Sequence, residues 1–172
     1  MRVAVNVSSV QFRKPGLANI LMQALAASGL DPKRLEVEIT ESIFLESSEA
    51  LIAVLHSLRN MGIRIALDDF GTGYSSLSYL QSFPFDKIKI DRSFIQQMLS
   101  RSGSTAIVHA ITDLARALGM ETTAEGVESS EQLAELRLHG CSSVQGYLFS
   151  RPVNAAGVFE ALEAANPQRD VA

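Results

Sequence analysis

Two adjacent carboxylates, Asp68 and Asp69, end an apolar segment and stand directly before a glycine-rich turn. Like charges side by side at a half-buried strand end repel each other, so ionising both becomes costly. A divalent cation would remove this cost by supplying positive charge. Oxygen ligands favour Mg²⁺ or Mn²⁺ over Zn²⁺, and two such ions about 3.5–4 Å apart can share one carboxylate. The pair therefore predicts a metal site in which Asp68 is the bridge and Asp69 leans toward the second ion.

Polar side chains also end or follow the other predicted strands. In a parallel β/α barrel the carboxyl ends of the strands converge on one face, where active sites lie. The structural alternative is that these residues are polar only because they lie in loops, and that Asp or Ser there only caps the next helix. Because acids, amides and a lysine recur at successive strand ends, we favour a common site. The residues are Asn6, Glu38, Glu41, Lys89, Asp91, Glu125, Glu128 and Gln145.

The hydrophobic pattern predicts strands that alternate with helices along the chain. Strict alternation indicates parallel strands joined by helical crossovers. The predicted fold class is α/β, an incomplete TIM-type (β/α) barrel of about six units, over residues 1–165 with a flexible tail at 166–172. The predicted strands are 3–7, 35–40, 63–67, 85–90, 120–124 and 142–146, and the helices are 17–29, 47–62, 104–119, 130–140 and 155–165.

Composition limits the classes of partner. The net charge of −4 argues against binding to a DNA or RNA polymer. No apolar run approaches the roughly 20 residues of a membrane span, so we expect no membrane contact from this segment. Cys141 is the single cysteine of the chain, which fits a reducing compartment, and no export signal opens the chain. The expected location is the cytoplasm.

Several short motifs occur in a fixed order. They are NVS at 6–8, EITE at 38–41, DDFGTGYSS at 68–76, KID at 89–91, EGVE at 125–128 and QGYLFSRP at 145–152. Together they resemble the EAL domain, the cyclic di-GMP phosphodiesterase family, over nearly the whole chain. The resemblance implies a modified TIM barrel that uses Mg²⁺ or Mn²⁺. It also implies hydrolysis of cyclic di-GMP to linear pGpG by metal-assisted attack of water.

The resemblance assigns metal ligands to particular positions. Asn6, Glu38 and Asp68 would hold the first ion, and Asp68 with Asp69 would hold the second.

It also assigns catalytic and substrate roles. Lys89 would help to bind and polarise the attacking water or the phosphate, and Asp91 would support that site. Glu125 would be the general base or an additional group around the metal. Glu128 and Gln145 would lie along the substrate.

A third set of residues concerns the glycine-rich loop. Glu41 would brace this loop, and Gly71 and Gly73 would let it bend over the ligand. Because the family couples loop conformation to dimerisation, the segment from Glu41 to Ser76 is also a regulatory candidate.

One family feature has no counterpart. The Glu-Ala-Leu stretch that names the family, with its nearby arginine, would precede NVS, and residues 1–5 do not contain it. One metal ligand, one phosphate contact and about two of about eight barrel strands would then be absent. We therefore expect weak or no turnover from this chain alone, and self-association through its open edges, most simply as a homodimer. Upstream sensory or GGDEF domains are compatible with a longer parent protein.

Two further interpretations stay open. Lys89 with carboxylates on neighbouring strands also suits proton abstraction in an enolase-like barrel, or a Schiff base. The alternative from another class is a non-catalytic module that binds cyclic di-GMP or mediates dimerisation.

Overall fold

Six parallel strands form one open sheet in the computed structural model, which describes residues 2–46, 49–73 and 77–165. Each strand pairs with the next one along the chain, so the spatial order is β1-β2-β3-β4-β5-β6. The predicted α/β class is confirmed, and the sheet is a half-barrel. The strands are β1 Val3–Asn6, β2 Leu35–Thr40, β3 Arg64–Phe70, β4 Lys87–Ile90, β5 Glu121–Ala124 and β6 Ser143–Val144.

Helices connect the strands. The sequence pattern missed α1, α4 and α5, since helices of five or six residues are too short to show a 3.6-residue period. The first two residues of the predicted helix 47–62 and the predicted tail 166–172 lie outside the described residues. The helices are α1 Ser9–Arg13, α2 Leu17–Ser28, α3 Glu49–Asn60, α4 Leu77–Ser82, α5 Arg92–Gln97, α6 Ser102–Ala117, α7 Ser130–Leu138 and α8 Val158–Ala165, with 3₁₀ turns at Pro32–Arg34, Glu41–Glu46 and Ala155–Gly157.

None of the helices in the described part of the chain is both long enough and apolar enough to cross a membrane.

The central strands have one apolar face and one charged face. In β2, Val37 and Ile39 belong to the buried core, while Glu36 and Glu38 alternate with them. Side chains alternate across a strand, so the acids point to the face opposite the apolar residues. The helices α3 and α6 contact β3, β4 and β5. The sheet therefore buries its apolar side chains on one face and keeps the other for polar groups.

Ion pairs fill the charged face near the amino ends of the strands. Lys87 Nζ lies 2.7 Å from Glu36 Oε1, and an Arg64 guanidinium nitrogen lies 2.8 Å from Glu121 Oε2. Arg64 also approaches Glu36 at 3.5 Å, and Arg2 approaches Glu121 at 3.4 Å. A slip of one residue in strand register would turn these charges toward the apolar face. The network therefore helps to fix the register of β2, β3, β4 and β5.

β3 extends further than its apolar pattern predicts. The predicted strand ended at Leu67, but backbone pairing continues through Asp68, opposite Thr40, to Phe70, opposite Ile90. The register with β4 shifts between Leu67 and Phe70. The prediction was wrong here because it followed hydrophobic side chains, whereas the ladder is made by backbone groups that two aspartates do not interrupt.

A tight backbone contact follows β6. Leu148 N donates to Val127 O at 3.0 Å, and Val127 N donates to Gln145 O at 3.1 Å. These bonds bring Gly146 so close to Val127 that a Cβ on Gly146 would lie 2.2 Å from the Val127 carbonyl oxygen.

We expect Gly146→Ala to lower the free energy of unfolding by about 1–3 kcal/mol, the usual cost of overpacking, in urea denaturation. The matched control is Gly103→Ala in α6, where an added Cβ meets no atom within 4 Å. That variant should be neutral or more stable by up to about 1 kcal/mol, because alanine replaces glycine in a helix. Equal stabilities for the two variants would contradict this account of Gly146.

Candidate active site

Lys89 on β4 lies at the centre of three carboxylates, which come from the carboxyl-terminal parts of β2 and β3 and from the residue after β5. Its Nζ is 2.8 Å from Glu38 Oε2, 2.9 Å from Asp68 Oδ1 and 2.7 Å from Glu125 Oε1. An ammonium group has three donors, so these contacts use all of them. Lys89 is only 5% exposed, and salt screens such a buried cluster much less than a surface ion pair.

Burial and charge perturb the ionisation of this cluster. Burial alone would lower the pKa of Lys89, but its hydrogen bonds to three carboxylates outweigh burial and raise that pKa. Burial raises the pKa of Glu125, which the ion pair with Lys89 only partly opposes. Burial and the neighbouring charge of Asp68 raise the pKa of Asp69. The raised pKa values of Glu125 and Asp69 mean that further positive charge at this site would favour their ionised forms.

A bulge in β3 turns both aspartates toward the site. Adjacent residues of a regular strand point to opposite faces, yet Asp68, Asp69 and Glu125 present carboxylate oxygens within 4.8 Å of one another. Asp69 achieves this with a φ of 54°, in the left-handed region. Such a conformation costs about 1–3 kcal/mol in a residue other than glycine and is concentrated at functional sites. Asp69 N also donates to Asp68 Oδ1 at 3.1 Å.

The donor set fits a hard divalent cation. Glu38, Asp68, Asp69 and Glu125 supply only oxygen atoms, and four carboxylates face the single ammonium of Lys89. Oxygen ligands with excess negative charge suit Mg²⁺, Mn²⁺ or Ca²⁺.

Asn6 lies at the edge of this group. It ends β1 in register with Glu38, and it is exposed. The register therefore places Asn6 beside Glu38, on the strand at the edge of the acidic cluster.

Two other predicted site residues hold their neighbours in place. Gln145 Nε2 donates to Glu125 Oε1 at 2.7 Å, the same oxygen that contacts Lys89. Asp91 caps α5, because its Oδ1 accepts from Ser93 N at 2.9 Å and from the Ser93 hydroxyl. Its charge also helps to raise the pKa of Asp69, after burial and Asp68. Gln145 therefore orients Glu125, and Asp91 fixes the helix that follows Lys89.

Glu41 anchors the start of the glycine-rich loop. Its Oε2 accepts hydrogen bonds from Gly71 N at 3.2 Å and from Gly73 N at 3.1 Å. Gly71 has a φ of 96°, and a Cβ there would lie 2.9 Å from the Phe94 ring. A Cβ on Gly73 would lie 3.3 Å from the Glu41 carboxylate. This geometry is what a bracing role requires. The end of the motif, Tyr74–Ser76, lies outside the described residues.

Sequence reasoning missed a cavity next to Glu125. The cavity has a volume of about 390 Å³, and Arg92, Glu128, Tyr147 and Arg151 contribute to its wall. Glu128 was predicted at the substrate, but the other three were not singled out, because the argument from strand ends stops at Gln145. The available signal was the pair of arginines directly after KID and within QGYLFSRP.

We expect Lys89→Met to lower the free energy of unfolding of the metal-free protein by about 3–5 kcal/mol, because it leaves buried carboxylates without their counter-charge. Urea denaturation in a chelator measures the loss, and added Mn²⁺ should restore part of it by binding the folded state. The matched control is Lys14→Met, at an exposed position. Equal unfolding free energies for Lys89→Met and the parent in chelator would contradict the central role of Lys89.

Comparison with known proteins identifies relatives over most of the chain. The EAL domain model matches residues 1–152. Cyclic di-GMP phosphodiesterase NbdA of Pseudomonas aeruginosa is 42% identical over 164 residues, which are 95% of this chain and 21% of that protein. The chain spans about a fifth of the length of the curated relatives it matches.

Solved structures show the same fold. The PaMucR phosphodiesterase in complex with c-di-GMP superposes with a TM-score of 0.87 at 43% identity, covering 91% of this chain and 64% of that one. A manganese/cy-diGMP complex of Klebsiella pneumoniae BlrP1 gives a TM-score of 0.81 at 36% identity, covering 88% and 39% of the two chains. The resemblance seen in the motifs is confirmed, and the chain belongs to the EAL domain family.

Proposed function

We propose that this chain is a phosphodiesterase domain that hydrolyses cyclic di-GMP to linear pGpG. The observation that carries the proposal is the cluster of Lys89 with Glu38, Asp68 and Glu125 at the carboxyl ends of four adjacent strands. The relatives support the substrate, since NbdA is named a cyclic di-GMP phosphodiesterase and PaMucR was solved with c-di-GMP.

The proposed metal ligands are Asn6, Glu38, Asp68 and Asp69, with Glu125 beside them. We favour Mg²⁺ or Mn²⁺, since manganese and calcium complexes of BlrP1 support a divalent ion in related sites. Asn6, Glu38 and Asp68 would hold one ion, and Asp68 with Asp69 would hold a second. A divalent cation at these oxygens would lower the pKa of water and neutralise charge that develops on a phosphate.

Glu125 is the proposed general base. Its pKa is raised by burial, which moves a carboxylate toward the range where it accepts a proton effectively near neutral pH. Gln145 and Lys89 both donate to Glu125 Oε1, so the carboxylate is held in one orientation. Its Oε2 is then the oxygen that accepts a proton from water.

Lys89 has a second task in this proposal. Its ammonium is fixed and desolvated by the carboxylates around it, so it needs no rearrangement to stabilise negative charge on a nearby phosphate oxygen. Preorganised charges of this kind account for much of enzymatic rate enhancement.

One observation favours a second function, a non-catalytic module that binds cyclic di-GMP. All three donors of Lys89 are used by carboxylates, so none remains to donate directly to a phosphate oxygen. The assay below separates the two functions.

We expect Glu125→Gln to lower turnover of cyclic di-GMP by about 10²–10⁴-fold, the usual contribution of a general base, while binding of the dinucleotide survives. The assay follows pGpG by chromatography with Mn²⁺, with Mg²⁺ and with a chelator, which should abolish activity. It compares the chain with a longer version that carries the Glu-Ala-Leu stretch upstream.

Glu160→Gln on exposed α8 is the matched control. If both versions bind cyclic di-GMP and neither yields pGpG, the non-catalytic function replaces the enzyme. A Glu125→Gln rate within about twofold of the parent would remove Glu125 from the role of base.

The larger protein that contains this domain, and its location in the cell, are also proposals. Because the curated relatives are about five times longer than this chain, we propose that it serves as one module of a larger signalling protein in the cytoplasm.

We propose further that the chain forms a homodimer. Within the described residues, β1 and β6 each pair on one side only, and unpaired edges favour association. Exposed apolar side chains follow β6, among them Tyr147, Phe149 and Phe159.

Light scattering at micromolar concentration should therefore give twice the monomer mass. Phe159→Glu on α8 should weaken the dimer, because burial contributes about 25 cal/mol per Å² of apolar surface. The control is Ile107→Glu at an exposed apolar position of α6, a helix that packs on β4 and β5 away from the edge strands, and it should not weaken the dimer. A monomeric parent would contradict the homodimer.

A further inference from the structure

Two histidine rings meet between α6 and the end of α7. The centres of the His109 and His139 rings lie 4.8 Å apart, with an angle of 44° between the ring planes. His109 lies on α6, and His139 is the residue at which α7 ends, shortly before β6 begins. Because the chain enters a parallel strand at its amino end, His139 lies on the side of the sheet opposite to the candidate active site.

Each ring has a carboxylate partner one helical turn away. His109 Nε2 lies 3.2 Å from Asp113 Oδ2, and His139 Nε2 lies 3.0 Å from Glu135 Oε1. Residues four apart lie on the same face of a helix, so each helix delivers one imidazole and one carboxylate to the same place. These four residues are called the histidine cluster below.

Arg116 on α6 ties the two halves of the histidine cluster together. Its Nη1 donates to Asp113 Oδ1 at 2.7 Å, and its Nη2 lies 3.5 Å from the His139 carbonyl oxygen. Gly140 leaves room for this side chain, because a Cβ there would lie 2.6 Å from Arg116 Nη2. The arginine partly neutralises Asp113, so Glu135 is the carboxylate with more negative charge to offer a cation.

The spacing of the two rings fits one metal ion bound to both. Zn²⁺ binds imidazole nitrogens at about 2.0–2.1 Å in tetrahedral geometry, which places the centres of two bound rings about 5 Å apart. The observed 4.8 Å matches this spacing. Joint binding therefore needs reorientation of side chains and no large shift of α6 relative to the end of α7.

Imidazole selects a different metal from the one expected at the strand ends. A neutral imidazole offers one ring nitrogen as an acceptor, and such nitrogens suit Zn²⁺, Ni²⁺ or Cu²⁺, whereas Mg²⁺ and Mn²⁺ prefer oxygen. Histidines that bind a metal usually donate their other ring N–H to a carboxylate. The contact between His109 and Asp113 is of this kind.

We propose that His109, His139 and Glu135 form a Zn²⁺ site that joins α6 to the end of α7. Asp113, held by Arg116, is the outer partner that orients the His109 ring. The site shares no residue with the candidate active site and goes beyond the proposed function, on which it does not depend.

An anion such as phosphate is the other ligand that two histidines and an arginine suggest. Asp113 and Glu135 contact the same rings at 3.2 and 3.0 Å, and their charges would repel an anion placed between them. The same two charges attract a cation. The composition of the histidine cluster therefore favours the metal.

The test is a calorimetric titration of the full chain with Zn²⁺ after the strand-end oxygens have been saturated with Mg²⁺. His109→Phe and His139→Phe keep an aromatic ring but remove its nitrogens, and Glu135→Gln removes the charge. Loss of an outer partner of a ligand costs about 10–100-fold in metal affinity, so each variant should weaken Zn²⁺ binding at least 10-fold.

Two controls repeat these chemical changes at exposed positions. They are His56→Phe on α3 and Glu131→Gln on α7, and both should leave Zn²⁺ binding unchanged. Unchanged affinity in His109→Phe, His139→Phe or Glu135→Gln overturns the proposal.

A second measurement needs no change in the histidine cluster. The chain contains three histidines, so its NMR spectrum holds three sets of imidazole signals, and the His56→Phe spectrum identifies the set that belongs to His56. Zn²⁺ should shift the other two sets, and Mg²⁺ should shift none.

The remaining outcomes each contradict the zinc site. Zn²⁺-induced shifts confined to His56, or no shifts at all, overturn it. Shifts of the His109 and His139 signals with inorganic phosphate but not with Zn²⁺ would make the cluster an anion site. Formation of pGpG is not part of the test, so the proposed function and the zinc site can fail separately.

Discussion

The ammonium of Lys89 sets the geometry on which the candidate active site depends. Three carboxylates from β2, β3 and β5 meet it within 2.9 Å, and each reaches it only if its strand lies in the observed register. Buried carboxylates are costly without a counter-charge, and removing the ammonium would leave all three of them uncompensated in a poorly solvated place. The charge cluster and the order of the central strands are therefore one constraint. A sheet that slipped by a residue would lose both together.

β2 and β4, which lie on either side of β3, carry ion pairs in two layers that differ in charge balance. Two residues before Glu38 and Lys89, Glu36 and Lys87 form a second ion pair of 2.7 Å on the same face. In this layer, which lies nearer the amino ends of the strands, cations outnumber carboxylates. Three cations, Arg2, Arg64 and Lys87, face two carboxylates, Glu36 and Glu121. In the layer at the carboxyl ends of the strands, four carboxylates share the single ammonium of Lys89. Charge balance thus distinguishes a layer that only holds the strands from a layer that still attracts a divalent cation.

The sequence predicts the parts of this design that are periodic, and misses the parts that arise from contacts. Alternation in LEVEIT and KIKI, and acids at successive strand ends, indicate the parallel sheet and most of the cluster. The amino-acid sequence does not predict the bulge that turns Asp69 beside Asp68, because the bulge depends on how β3 pairs with β4. The close approach of Gly146 to Val127 joins segments about 20 residues apart in the chain, and the hydrophobic pattern does not indicate it. Local patterns carry no information on either.

Glu125 connects the charge cluster to the cavity. One of its oxygens accepts from both Lys89 and Gln145, and Gln145 begins the segment that carries Gly146 and Tyr147. Movement of that segment would change the orientation of the carboxylate and the shape of the cavity wall at once.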